Sequence, residues 1–192
     1  MQAGLAEGAV PTVQPIVVGK QGQKSAAVSF DGKPLTLRLG SADAPLYLAF
    51  GLSSFEGSNQ NRCSLDAQTN DGVETLIDRI DKKILGYMLA NGRWKEYFAG
   101  AASGDQVKHT YRPLKKTSDK WPTTVRTKAS RDRVKVWNSE KEALDVERIQ
   151  KGCTVALTCE LTSLYFSAGQ WGPILETRHV LLSEPEGVAC PF

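Results

Sequence analysis

The sequence CTVALTCELTSLYFSAGQWGPILETRHVLLS, residues 153–183, contains the strongest β-strand signal in the chain. In its first half, apolar side chains at every second position alternate mostly with threonine and glutamate. This period of two predicts a strand with one buried face, because successive side chains of a strand point to opposite sides. Residues 167–170, SAGQ, predict a turn, and residues 171–183 return as a second strand. We therefore expect a fold built on one long hairpin.

Shorter strands are predicted in the rest of the chain. Strand-like runs occur at residues 24–30, 35–39, 45–52, 63–67 and 133–137. The first two runs are separated by Asp31-Gly32, a pair typical of tight hairpin turns. The sequence therefore predicts that these two runs form a hairpin of their own.

A different hydrophobic period predicts a helix over residues 71–90. Apolar residues recur there at three- and four-residue steps, at Val73, Leu76, Ile77, Ile80, Ile84, Tyr87 and Met88. Asn70 or Asp71 is expected to cap its start, and Asn91-Gly92 to mark its end. A second short helix is predicted around Trp94, Tyr97 and Phe98. The predicted class is mainly β with one or two helices (α+β), a curled antiparallel sheet or small barrel that a helix plugs or flanks.

Length and composition indicate one well-buried domain. The chain has 192 residues, of which 41% are hydrophobic and 23% charged. Residues 1–22 include six glycines or prolines and predict a flexible leader. No run of 18 apolar residues predicts a membrane span, and the start has no basic region followed by an apolar one. We expect an intracellular protein that is not secreted and has no membrane partner.

Positive charge is concentrated in residues 108–135, which we call the basic segment. It carries ten lysines and arginines against two acids, a net +8, whereas the whole chain carries +3. The remainder is therefore at −5, and a localised charge of this kind focuses its field on an anionic polymer. Tyr111, Trp121 and Trp137 are interleaved with the cations, and a purely solvating loop gains nothing from such large rings.

Patterns typical of catalysis are scarce. His109 and His179 stand in contexts typical of packing or surface residues, and neither a G-x-S-x-G elbow nor a phosphate-binding loop occurs. The four cysteines are widely spaced, which favours free thiols over a zinc site: Cys63, Cys153, Cys159 and Cys190. Cys153 and Cys159 lie six residues apart, and we expect both to be small, buried hydrophobic side chains. We expect neither catalytic residues nor a cofactor.

One acidic cluster is compatible with a divalent cation. Glu74, Asp78 and Asp81 fall on one face of the predicted helix. Basic residues at positions 79, 82 and 83 lie among them, which favours a solvated helix face. We therefore predict no metal site.

Binding of single-stranded nucleic acid fits the basic segment better than catalysis does. Such proteins combine a cationic groove along the phosphates with aromatic rings on which bases stack. Pro113 and Pro122 favour an extended backbone that can follow a groove. The candidate nucleic-acid-binding residues are Lys108, Tyr111, Arg112, Lys115, Lys116, Lys120, Trp121, Arg126, Lys128, Arg131, Arg133, Lys135 and Trp137. Rings near the hairpin tip either cover the core or stack on bases: Tyr165, Phe166 and Trp171.

A succession of motifs resembles a known family. FGLSSF (50–55), the helix after it, YRPLKK (111–116), WPTTVRTK (121–128) and QWGPILETRHVLL (170–182) occur in this order. Their order and spacing over about residues 24–183 resemble the single-stranded DNA-binding proteins of large eukaryotic DNA viruses and some phages. The resemblance implies an OB-fold core, here residues 23–183, without catalytic activity. It also implies that the protein coats single strands during replication, recombination or repair.

The same resemblance implies particular residue roles. It places Trp171-Gly172 at the start of a barrel strand and assigns the ligand side to Tyr111, Lys115, Trp121 and Lys128. The ending ACPF resembles the Pro-Phe ending of bacterial single-strand binders, which dock replication proteins. Residues 184–192 then form a C-terminal tail, although Glu184 and Glu186 are its only acids.

Several alternatives stay open at this stage. The main alternative is a β-rich viral structural or assembly protein with a nonspecific basic surface, and a catalytic domain with an unfamiliar site ranks last. The expected partners are single-stranded DNA, with RNA left open, replication proteins at the tail, and a second copy of the chain in a homodimer. A eukaryotic or viral source would place the protein in the nucleus or at a viral replication site.

Overall fold

The computed structural model describes residues 8–20, 22–54, 61–98, 100 and 103–183. The described strands are β1 Pro11–Val13, β2 Val17–Val18, β3 Lys24–Phe30, β4 Leu35–Leu39, β5 Leu46–Ser54, β6 Arg62–Gln68, β7 Lys115–Lys116, β8 Thr124–Ser130, β9 Lys135–Trp137, β10 Ala143–Leu144, β11 Thr154–Ser167 and β12 Gln170–Ser183. The α-helices are α1 Asp71–Leu89 and α2 Gly104–His109. The predicted mainly β, α+β class is confirmed. The predicted tail, residues 184–192, lies outside the described residues.

The predicted long hairpin is present as β11 and β12. The strands pair from Thr154↔Ser183 to Ser167↔Gln170. Ala168 and Gly169, with φ of 48° and 72°, form the two-residue turn, and positive φ at both central positions matches the right-handed twist of the flanking strands. Irregular register after Thr158 and after Leu161 bends the hairpin, because a bulge increases local twist.

Five strands close into a ring, which gives the OB-like barrel. β11 pairs with β5, β5 with β6, β6 with β8, β8 with β12, and β12 with β11. The pairings of β12 with β8 and with β9 are parallel, which corrects the expectation of a wholly antiparallel sheet. Inward-facing side chains of the ring fill the core, among them Leu48, Leu65, Val125, Leu157 and Leu175.

Helix α1 packs its apolar face against the barrel core, as predicted. Val73, Ile77, Ile80, Ile84 and Met88 are all buried. The Asn70 side chain accepts a hydrogen bond from the Val73 amide at 3.0 Å, which confirms it as the N-cap. Positive φ at Asn91 and Gly92 ends the helix near its predicted boundary. No helix in the described ranges is both long and apolar enough to cross a membrane.

The first two strands of the sheet lie within residues 1–22, which were predicted to form a flexible leader. β1 pairs with β3 through Pro11↔Phe30 and Val13↔Val28, and β2 pairs with the other end of β3. Ala9 and Val13 are buried in the core. The glycine and proline content indicated a leader here. A strand of only three residues can nevertheless dock on the edge of a sheet when its alternate side chains are buried. Within the described residues, positions 9–18 therefore belong to the fold.

The Asp31-Gly32 turn is present, but the two strands beside it do not pair as a hairpin. Phe30 and Lys33 exchange backbone hydrogen bonds of 2.8 and 3.0 Å around it. Beyond this bridge, β3 and β4 pair one after the other with the same edge of β11. The long strand β11 thus offers enough edge for both, and the turn sets their offset.

The start of the basic segment docks against the start of β12. The Trp171 amide donates to the Thr110 carbonyl at 3.2 Å, and the Arg112 amide donates to the Trp171 carbonyl at 2.8 Å. The indole N–H of Trp171 donates to the Val107 carbonyl at 2.8 Å. A Cβ at Gly172 would lie 2.3 Å from the Arg112 carbonyl oxygen. Glycine is therefore required at position 172 for this close approach.

We predict that Gly172→Ala lowers the free energy of unfolding by about 1–3 kcal/mol, because overpacking must push apart two hydrogen-bonded backbones. Urea denaturation measures this loss. Gly86→Ala is the matched control, since nothing lies within 4 Å of the added methyl group in the middle of α1. That control should gain about 0.5–1 kcal/mol. Equal effects of the two substitutions would contradict the docking.

Candidate nucleic-acid interface

Asp81 anchors the beginning of the basic segment to helix α1. The carboxylate is buried and accepts hydrogen bonds from the Tyr111 hydroxyl and from the Leu114 amide, the latter at 3.1 Å. Burial raises the pKa of Asp81 to about 6, although both hydrogen bonds favour the charged form. Burial and the charge of Asp81 raise the pKa of Tyr111 far above its usual range, so Tyr111 stays a proton donor. This contact holds residues 111–114 against α1.

Tyr111 is a core residue, which corrects its predicted role in base stacking. Its exposed fraction is 9%, and its ring lies 4.7 Å from the Trp171 ring, measured between centroids. A ring enclosed in this way has no free face for a base. At this position the aromatic residue in the basic segment serves packing of the core and not binding of a base.

Lys115 also serves the anchoring of the segment. Its ammonium group lies 2.7 Å from Asp78 and 3.8 Å from Glu74. The hydrogen bond with Asp78 raises the pKa of Lys115. Two of the acids on the predicted acidic face of α1 therefore pair with Lys115, for which the family resemblance implied a role on the ligand side.

Strand β8, which the sequence analysis did not predict, carries the central cations. Val125, Thr127 and Ala129 point into the core, while Arg126 and Lys128 alternate with them on the exposed face. β8 lies between β6 and β12 in the ring. The alternation from Val125 to Ala129 is a detectable strand signal, but the sequence interpretation went only as far as an extended backbone beside Pro113 and Pro122.

A groove with two exposed rings lies beside β8. Its volume is about 340 Å³, and its lining includes Phe50, Lys116, Trp121 and Arg126. The exposed fractions are 72% for Trp121 and 65% for Phe50. Large rings rarely stay this exposed without a binding role when they lie together. Trp121, a predicted binding residue, thus lies in the same groove as a second exposed ring, that of Phe50.

Phe50 was missed because the period of two fails in β5. Strict alternation places Phe50 on the buried face with Leu46 and Leu48. The register with β6 shifts between Leu48 and Leu52, and Gly51 adopts a φ of 64°. This irregularity turns the Phe50 side chain outward. Regular periodicity contains no signal for such a bulge.

A second groove continues from the first at Arg126, which lines both. It has a volume of about 280 Å³, and its lining includes Arg112, Lys128 and Tyr165. Tyr165 is half-buried, so its ring is partly available, whereas Trp171 is fully buried and Phe166 stacks on it. We call the two grooves together the front groove. Of the three rings near the hairpin tip, only Tyr165 lines it.

The front groove carries an excess of positive charge. Its lining cations are Arg112, Lys116, Arg126 and Lys128, and its lining acid is Asp66. Asp66 holds Arg126 through two hydrogen bonds of 2.7 and 2.8 Å. This bidentate pair fixes the guanidinium group over β6 and β8. Burial, and after it the charge of Arg62, lower the pKa of Lys128.

The remaining predicted residues lie elsewhere. Arg131 pairs with Glu147, and Arg133 lies 3.3 Å from Glu176. Three exposed lysines lie outside the lining of the front groove: Lys108, Lys120 and Lys135. The structure therefore gathers Arg112, Lys116, Trp121, Arg126 and Lys128 at one surface.

Trp137 lies against His179 on another part of the sheet. Its indole N–H donates to His179 Nδ1 at 3.2 Å, and the two rings stack with centroids 6.3 Å apart. Neither residue lines the front groove. Trp137 is thus separated from the other predicted residues that the structure gathers.

Two of the three cysteines within the described residues are core residues. Cys63 and Cys159 are buried, and burial raises the pKa of Cys159 to about 12. Cys153 is half-buried and Cys190 lies outside the described residues. In the part of the chain that the structure describes, no three His, Cys, Asp or Glu residues are placed to hold a metal ion.

Comparison of the structure with solved proteins finds phage proteins that have a similar fold. The single-stranded DNA-binding protein of bacteriophage Enc34, in a C-terminally truncated form, is 14% identical and matches with a TM-score of 0.50 over 95% of this chain and 99% of that one. The chain has the fold of a phage single-stranded DNA-binding protein. This confirms the resemblance at the level of the fold. No family model and no curated protein sequence matches the chain.

Two further structures match less closely. The Enc34 protein in complex with single-stranded DNA is 17% identical, with a TM-score of 0.45 over 95% of this chain and 100% of that one. The gp2.5 single-stranded DNA-binding protein encoded by bacteriophage T7 is 12% identical, with a TM-score of 0.48 over 82% of this chain and 96% of that one.

We predict that the Asp81 anchor makes stability depend on pH. The pKa of Asp81 is about 6 in the fold against about 3.8 in an unfolded chain, so the native state binds more protons between these values. This carboxyl group therefore costs stability as pH rises from about 4 to about 6, by about 2–3 kcal/mol. Chemical denaturation at pH 4 and pH 7 should show this loss in the wild type and not in Asp81→Asn.

Asp43→Asn is the control, because it removes an exposed carboxylate by the same chemical change. A pH dependence that is identical in the wild type and in Asp81→Asn would contradict the assignment of this effect to the anchor.

Proposed function

We propose that this protein binds single-stranded DNA without catalysis and with little sequence preference. The observation that carries the proposal is the front groove. Two of its cations, Arg112 and Lys128, line the part that continues toward β12, and its two exposed rings meet Lys116 and Arg126 on the face of β6 and β8. These are the second and third strands of the barrel ring in chain order. OB-folds use the face of these two strands to bind oligonucleotides.

The groove offers separate side chains to the phosphates and to the bases of a single strand. The cations Arg112, Lys116 and Lys128 are placed to neutralise phosphates along the groove, and Arg126 lies at its centre. Trp121 and Phe50 offer ring faces to bases, and each stacked base contributes about 1–3 kcal/mol. Tyr165 is a further candidate for stacking at the other end.

Contacts between rings and base faces favour single strands over duplexes. The bases of a duplex are already stacked on their neighbours, so rings in a groove reach their faces only after the helix opens. Every base has a π face and every nucleotide a phosphate, so such contacts tolerate any sequence. Both oxygens of Asp66, the carboxylate that lines the groove, are bonded to Arg126, so this side chain is not free to act as a general base.

The biological role extends the proposal further. We infer that the protein coats single strands in replication, recombination or repair, inside the cell or at a viral replication site. Docking of replication proteins by residues 184–192, binding of RNA, and a homodimer remain proposals. The domain of residues 23–183, with the earlier strands β1 and β2 added to it, is the unit to which the binding function is assigned.

We predict binding that prefers single-stranded DNA to duplex DNA and weakens with salt. If Arg112, Lys116 and Lys128 each neutralise one phosphate, log affinity falls with log salt at a slope of about −2, from about −0.7 per phosphate. Fluorescence anisotropy with labelled single-stranded DNA, duplex DNA and single-stranded RNA of equal length measures both properties. Absence of binding at low salt would contradict the proposal and favour a structural or assembly protein.

We predict that Trp121→Ala and Phe50→Ala each weaken binding of single-stranded DNA by about 1–3 kcal/mol, because each removes a stacking surface. Both rings are exposed, so the fold should be retained. Tyr47→Ala is the matched control: Tyr47 is an exposed ring on the same strand as Phe50, outside the groove lining. Equal losses in all three variants, or none, would exclude the front groove as the binding site.

A further inference from the structure

A second cavity lies on the outer face of the sheet, away from the front groove. Its volume is about 630 Å³, larger than either part of the front groove, and its lining includes Arg38, Trp137, Lys141, His179 and Leu181. Cavities of this size accommodate small organic ligands and short segments of polymers. We call this surface the distal patch.

Strand register brings the distal patch together from four strands. Thr158 of β11 is paired with Arg38 of β4 and with His179 of β12, and His179 is paired with Lys135 of β9. Directly paired residues lie side by side on one face. The next row contains Leu181 and, beside it, Trp137. Arg38 therefore lies at one end of an aromatic and aliphatic floor, and Lys141, from the loop between β9 and β10, also lines it.

Charge and ring geometry make the distal patch suitable for a nucleotide. Arg38 and Lys141 are exposed, and neither has an acidic partner within the described residues. No aspartate or glutamate is among the lining residues. The hydrogen bond from Trp137 to His179 holds the indole in place, so a base that stacks on it would not have to order the ring first.

Strand β12 connects the distal patch with the front groove. Ile174 lines the front groove and His179 lines the patch. Five residues of strand cover about 16 Å, a distance that a few nucleotides of an extended single strand span.

A neutral ion network separates the two surfaces. Arg178 lies 2.7 Å from Glu160 and 3.0 Å from Glu176, and Glu176 also pairs with Arg133. These four side chains balance one another, so the positive charge of the outer face is divided into two regions. The arrangement favours two discrete contacts with one strand over a single continuous one.

We propose that the distal patch is a second contact for the single strand that occupies the front groove. Arg38 and Lys141 bind phosphates, and Trp137 receives a base. The inference rests on the proposed function and adds to it a longer binding site, in which short oligonucleotides fill the front groove and longer ones reach the patch.

The test compares two thymidine oligonucleotides, of about 6 and about 16 nucleotides, within the range of site sizes of OB-folds. The double substitution Arg38→Ala and Lys141→Ala should leave the affinity for the short oligonucleotide unchanged. For the long one the salt slope should become shallower by about 1.4, from about 0.7 for each of two phosphates. Trp137→Leu should weaken binding of the long oligonucleotide alone, by about 5- to 150-fold, the equivalent of one stacked base.

The double substitution Lys33→Ala and Lys82→Ala is the matched control, because it removes the same charge from exposed positions outside both surfaces. Losses that are equal for the two lengths, or equal to those of the control, would show that charge acts at long range and would overturn the second contact. A normal long-oligonucleotide affinity in both patch variants would also overturn it and leave the front groove intact. Failure of the wild type to bind either oligonucleotide would overturn the proposed function itself.

Discussion

The arrangement of the front groove depends on the hydrogen bonds that the buried carboxylate of Asp81 accepts. This carboxylate joins α1 to the hydroxyl of Tyr111 and to the backbone of Leu114, while Trp171 covers the Tyr111 ring. A buried carboxylate without these partners would be strongly unfavourable. The chain that leaves this contact enters β7 and then β8, so the anchor determines which cations reach the outer face of the barrel.

The cations of the basic segment serve two purposes. Lys115, Arg131 and Arg133 pair with acids of α1, of the turn at residues 146–148, and of β12. Lys116 and Lys128, by contrast, line the front groove. The net +8 of the segment therefore overstates the charge available to a ligand, because several members hold the fold together. A charge count from sequence cannot make this distinction, since it depends on which acids the fold brings close.

Regular periodicity explains what could be predicted. The β11–β12 hairpin and α1 follow from periods of two and of about 3.6, and both were predicted near their true bounds. Phe50 was missed because a bulge reverses its face. Tyr111 was misassigned because a tyrosine in a charged segment looks alike in sequence whether it stacks on a base or packs on Trp171. Trp121 was predicted and is exposed, while the second exposed ring of its groove, Phe50, comes from a distant part of the chain.

Ultraviolet crosslinking of a thymidine oligonucleotide of about six nucleotides, followed by mass spectrometry of the crosslinked peptides, tests the central claim most directly. Stacked bases crosslink to the rings that they contact. The account predicts adducts on Phe50 and Trp121, the two exposed rings of the front groove. Adducts confined to peptides outside the front groove, with these two residues unmodified, would contradict it.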